Sequence, residues 1–131
     1  MGRVFRRLAS LMLAAWITSG AAAWATDTAL HPWRIEVTGG ADSHGEIVLS
    51  FAEDGVEITQ IPTAIPKGTP ENAIARRIRK ELRRALPKEQ CGVDLERGEK
   101  ILISARAHTK DFEFRLVRNS VSGTVVTAVR E

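Results

Sequence analysis

Six cations fall within one short stretch of this chain. Arg76, Arg77, Arg79, Lys80, Arg83 and Arg84 surround only two carboxylates, Glu71 and Glu81. Such a run is either a solvated helix face or a docking surface for an anionic partner. In the first case Glu81 bridges to Arg77 and Arg84 at helical spacing. In the second, Arg76, Arg79, Lys80 and Arg83 are the binding residues. The partner is then a lipid or polymer of a cell envelope, or an acidic protein. No aromatic residue interleaves with these cations. Bases would have nothing to stack on, which argues against nucleic acid.

Other chemistry is thinly represented. Cys91 is the only cysteine, so no disulfide can close within the chain. It alternates with Val93 and Leu95, as a buried strand thiol would. Two other fates are an intermolecular disulfide and a nucleophile paired with His108 or His44. Metal ligands would come from Asp42-Ser43-His44 or from His108 with Asp111, and His31 stands alone. No H-x-x-x-H or C-x-x-C spacing exists, so no metal and no cofactor is expected. Glu53-Asp54 and the Glu96/Glu99 pair read as turn residues rather than paired catalytic acids. Gly39-Gly40 lacks the Lys-Ser/Thr of a phosphate loop, and no serine sits in G-x-S-x-G. The inventory predicts a protein that is not an enzyme.

The elements that position these residues follow from periodicity. Trp33, Ile35 and Val37 alternate, as do Ile47, Leu49 and Phe51, and both read as half-buried strands. Asp54-Gly55 closes a hairpin, and Val56 and Ile58 resume the pattern. Pro62 and Pro66 are expected to end that strand. Thr69 then serves as N-cap and Pro70 as first residue of a helix over about 70–86. Ile74, Ile78, Leu82 and Leu86 form its apolar stripe, widened by Ala75 and Ala85, and Pro87 stops it. Four more strands follow, carried by Cys91/Val93/Leu95, Ile101/Ile103/Ala105, Phe112/Phe114/Leu116 and the run 124–129. Turns fall at 96–99, at His108-Thr109-Lys110 and around Ser122-Gly123. This order predicts an α+β fold: one curved, mainly antiparallel sheet of five to seven short strands with one helix on one face.

The first 25 residues read as an address. Arg3, Arg6 and Arg7 precede the apolar run Leu8–Ile17, and Ala23-Trp24-Ala25 is an A-x-A cleavage site. The expected division is a signal peptide over 1–25, a short tail over 26–32 and a single domain over 33–131. The product is then periplasmic or secreted. With no cysteine in the leader it is not a lipoprotein, and it carries no transmembrane span after cleavage. The leader also supplies the whole excess of charge. The full chain has 19 basic and 16 acidic residues, and removing the three leader arginines leaves 16 of each. The domain therefore has no general electrostatic pull on a partner, and any charge effect is local.

The hairpin at Asp54-Gly55, the lead-in Ile65-Pro66-Lys67-Gly68-Thr69, the Ala/Ile-patterned helix and the strands after it carry a resemblance. Over about 45–130 the layout resembles the small β-β-α-β-β modules of phage tail proteins and bacterial surface assemblies. The leader departs from tail proteins, which are not exported this way. The favoured function is a non-catalytic exported module that works by protein–protein binding or assembly. The alternative is binding of an anionic envelope component through the basic helix. A small enzyme using Cys91 or a histidine comes last.

Overall fold

The computed structural model describes residues 32–106 and 111–131. The leader with its cleavage site, most of the tail with His31, and the turn containing His108 lie outside the described residues. The elements run β1 (Trp33–Thr38), β2 (Gly45–Glu53), β3 (Val56–Ile65), α1 (Glu71–Ala85), β4 (Cys91–Glu96), β5 (Lys100–Ala105), β6 (Phe112–Asn119) and β7 (Val125–Arg130).

The fold is α+β, with seven strands and one helix among the described residues, but the strands form two sheets where one was expected. One has the order β4-β5-β1-β7 and the other β3-β2-β6, and every pairing is antiparallel. The reason is area. Each strand alternates, so each sheet has one apolar face to bury. The helix offers only Ile74, Ala75, Ile78 and Leu82 as its buried stripe. That stripe is too narrow to cover seven strands, so the sheets also cover each other. β6 adjoins β7 on one side, while α1 packs against β3 of one sheet and β4, β1 and β5 of the other. The helix thus fills the side on which β3 and β4 leave the sheets unjoined.

The core collects the inward residues of all elements. Ile35, Ile47, Ile74, Ile78, Leu82, Ile101 and Ile103 are fully buried, each contributing roughly 1.5–3 kcal/mol. Phe51 and Phe114 pack at 5.3 Å between ring centroids, and Trp33 meets Phe114 edge-on at 6.2 Å. The Trp33 indole N–H donates to the Phe112 carbonyl at 2.9 Å.

Four local expectations are corrected. Pro62 does not end β3, which continues to Ile65 with Pro62 opposite Val48. β3 is an edge strand, where a missing N–H costs nothing. Val56 and Ile58 are exposed rather than inward, at 64% and 54%. Ile61, Thr63 and Ile65 are the buried positions of β3, so Ile58 falls on the exposed side with Gln60 and Pro62. A bulge there, where Phe51 faces Thr59 and Ala52 faces Glu57, leaves it with no opposite residue, and Val56 lies beside the turn. Thr69 does not cap the helix. Its hydroxyl donates to the Pro66 carbonyl at 2.6 Å, and Pro70 occupies the N-cap with no side-chain bond. Ala85 is exposed, so the stripe is widened by Ala75 alone.

Candidate functional site

The helical spacing of the cations decides which of them act together. Lys80, Arg83 and Arg84 stand three and four residues apart and share a face. That face borders β4, the edge strand of its sheet. Between them lies an open groove of about 600 Å³, lined by Lys80, Arg83, Arg84, Lys88, Asp94 and Arg106, with Leu86, Cys91 and Val93 along its floor. Pro87 makes the sharp return from α1 into β4: the amides of Gln90 and Cys91 both donate to its carbonyl, at 3.1 and 3.0 Å. This turn sets Lys88 on the rim. Arg106 arrives from the far end of β5, where its amide donates to the Gln90 carbonyl at 2.9 Å.

Of the four residues singled out from sequence, Lys80 and Arg83 line the groove. Arg76 lies on the other flank of the helix, where a second hollow of about 430 Å³ is lined by Thr63, Ala64, Ala73, Arg76, Arg77, Lys80 and Glu81. Arg79 lines neither. Three lining cations were not among those four: Arg84, which belongs to the same basic run, and Lys88 and Arg106. Arg106 had a signal: counting outward from the turn that pairs Glu96 with Lys100 puts it opposite Gln90. Lys88 had none beyond adjacency to Pro87.

The cations are not equivalent. Arg83 is committed to the fold, since its Nε donates to the Val93 carbonyl at 2.9 Å and its Nη2 lies 3.5 Å from Asp94. Arg84 pairs with Glu81 at 3.4 Å, as the sequence suggested for one of that residue's two bridges. Arg83 and Arg84 also sit in the last helical turn, where they complement the negative helix end. Lys80 and Lys88 make no ion pair among the described residues and are exposed. Five cations therefore meet one lining carboxylate. Like charges in one groove repel by a few tenths of a kcal/mol per pair in high dielectric. The pairings of Arg83 and Arg84 offset part of that cost, and an anion in the groove would offset more.

Cys91 lies on the groove floor and is 5% exposed. Burial, with the nearby charge of Glu53 second, pushes its thiol up to about 11 against the pull of Arg106. The sulfur stays protonated at neutral pH and is a poor nucleophile. It would have to leave the core to join an intermolecular disulfide. His44 is used structurally: its Nδ1 accepts a hydrogen bond from the Lys67 amide at 3.1 Å. No group of three or more histidine, cysteine, aspartate or glutamate side chains suited to a metal ion occurs among the described residues. Nor is any helix there long and apolar enough to cross a membrane. The groove can therefore hold and orient an anionic group through point-charge lysines and forked guanidiniums. No protein-family model matches the chain, and no curated protein or solved structure is significantly similar to it.

Proposed function

We propose that the domain is an exported, non-catalytic binding module that holds a carboxylate-bearing segment of a protein partner in the groove between α1 and β4. The observation that supports this most is the imbalance of the lining, five cations to one carboxylate above an apolar floor, in a domain whose total charge is balanced. Apolar floor and cationic rim together suit a peptide with acidic and apolar residues better than a bare ion.

The probe is a short poly-glutamate peptide, titrated at two ionic strengths. Lys80→Gln/Arg84→Gln/Lys88→Gln leaves Arg83 and its bond to Val93 intact, so the fold should survive. Binding should weaken about tenfold or more and its salt dependence should flatten. Unchanged affinity and an unchanged salt slope would remove the groove from consideration.

A second reading is docking of an anionic envelope polymer or lipid. It draws on the other hollow, where Arg76 and Arg77 add cations on the opposite flank of the helix, more than one peptide segment needs. Arg76→Gln/Arg77→Gln should then lower binding to phosphatidylglycerol vesicles while leaving the peptide titration unchanged.

A further inference from the structure

We propose that the acidic segment is the β2–β3 hairpin tip of a second copy of this chain, and that two copies dimerise by each placing its tip in the other's groove. The proposal rests on the groove being an anion site and adds the identity of what fills it.

The tip has the matching chemistry. Residues 53–58 read Glu-Asp-Gly-Val-Glu-Ile, three carboxylates with no cation. Val56, 64% exposed, is the most exposed large apolar residue among those described, and Ile58 follows on the same strand at 54%. Ile58 shares the exposed side of β3 with Gln60, Pro62 and Ala64, and the bulge leaves it with no opposite residue on β2. Glu57 is held below the usual carboxylate range by hydrogen bonds from the Ser50 hydroxyl, at 2.6 Å, and the Gln60 amide, at 3.3 Å. The turn is a tight two-residue one, with Asp54 and Gly55 both at positive φ, 50° and 82°. Among the described residues, an acidic and apolar finger therefore stands without apolar cover in its own chain. The groove on the same molecule is basic at the rim and apolar at the floor.

Strand direction places both parts at one end. β2 ends there, β3 begins there, α1 ends there and β4 begins there. A single tip in a single groove would bury little surface. Parts on one end permit a twofold arrangement in which both tips are exchanged reciprocally, which doubles the buried area toward the roughly 1,200 Å² of a specific interface.

The test is sedimentation velocity on the chain as recovered from the cell, with three variants. Val56→Ser/Ile58→Ser disables the tip. Lys80→Glu/Lys88→Glu reverses two exposed rim charges. Gly92→Leu sets a bulky side chain against Arg106 in the groove lining with every charge kept; a Cβ there meets only the Arg106 side chain, at 3.6 Å and beyond. Wild type should be a dimer that salt weakens, and each variant alone should be monomeric. An equal mixture of tip and rim variants should form a heterodimer through its one intact pair, about tenfold or more weaker than wild type. A monomeric wild type, or variants that dimerise as wild type does, overturns the proposal. Poly-glutamate titration separates the two levels. If wild type is monomeric yet binds the peptide in a salt-dependent way, only the self-partner is wrong. If it does neither, the anion site is wrong as well.

Discussion

At the end of the molecule where β1 turns into β2, three loops bind one another through their backbones. The Ala41 amide donates to the Thr69 carbonyl at 2.9 Å, the Gly68 amide to Ala41 at 2.8 Å and the Asp42 amide to Ser122 at 2.8 Å. Glu71 accepts from the Gly39 amide at 2.7 Å, and the Thr124 hydroxyl donates to the Gly39 carbonyl at 3.2 Å. At the opposite end, outside the sheet ladders and among the described residues, the hairpin tip has one backbone tie to the rest, from the Asp54 amide to the Asp111 carbonyl at 2.9 Å. Beside it lie exposed valine and isoleucine and a groove of mutually repelling cations. Polar loop residues at the first end are spent on the fold. At the second end Arg83 and Arg84 are tied to the fold, but Lys80, Lys88, Val56 and Ile58 are exposed side by side with the groove, and exposed charged and apolar chemistry together marks the working surface.

The sharpest test of this contrast makes one substitution at both ends. Gly123 has φ +85°, and a Cβ there would stand 2.3 Å from Asp42 Oδ2 and 2.9 Å from the Gly40 carbonyl. Gly123→Ala should destabilise by about 2–5 kcal/mol, the sum of left-handed strain and overpacking. Gly55 has nearly the same φ, +82°, but nothing within 4 Å of its Cβ position. Gly55→Ala should cost about 1 kcal/mol, the strain alone. Denaturant melts of the two variants check this. Equal losses would mean that the tip is as tightly built as the loop end.

Much of this was legible in the sequence where a single period governed. The four-residue spacing of Ile74, Ile78 and Leu82 marked the buried helix face, and those residues are fully buried. Alternation found the strands and gave the inward set Ile35, Ile47, Leu49 and Ile101. It did not find the split into two sheets, because alternation says which face is apolar and not what covers it. Nor did it find the exposed tip. Val56 and Ile58 alternate with each other but are out of step with the buried Ile61, Thr63 and Ile65, so their own spacing did not say which side of β3 they take. The groove was half legible. Spacing put Lys80 and Arg83 on one face, but the groove also needs Lys88 and Arg106, brought in by a turn and a hairpin register.

Cys91 tests whether the groove floor belongs to the rigid core or to the open end. Its thiol titrates near 11 in the folded chain, against about 8.5 when unfolded. Below the unfolded value both states hold the proton and pH has no effect through this group. As pH rises from there toward 11 the unfolded state loses the proton first, so stability should fall over that window. At pH 8, iodoacetamide should label the native thiol about a hundredfold more slowly than the chain in urea. Comparable rates would place the floor among the mobile parts.

The smallest expected effects separate two arginines that the sequence treated alike. Arg83 is tied to β4 by its bond to the Val93 carbonyl and its pairing with Asp94. Arg79 makes no hydrogen bond or ion pair with its side chain among the described residues and lines neither hollow. The Val93 carbonyl lies on an edge strand beside an open groove, so water can replace the guanidinium in part. Arg83→Ala should therefore cost about 1 kcal/mol, the worth of one hydrogen bond, rather than the full penalty of a buried orphan. Arg79 is half-buried but has no such ties, and Arg79→Ala should cost less, about 0.5 kcal/mol. Binding to poly-glutamate should fall for Arg83→Ala and stay level for Arg79→Ala. If both variants lose binding equally, the interaction follows the total charge of the helix. The groove would then have no special standing over the rest of the basic face.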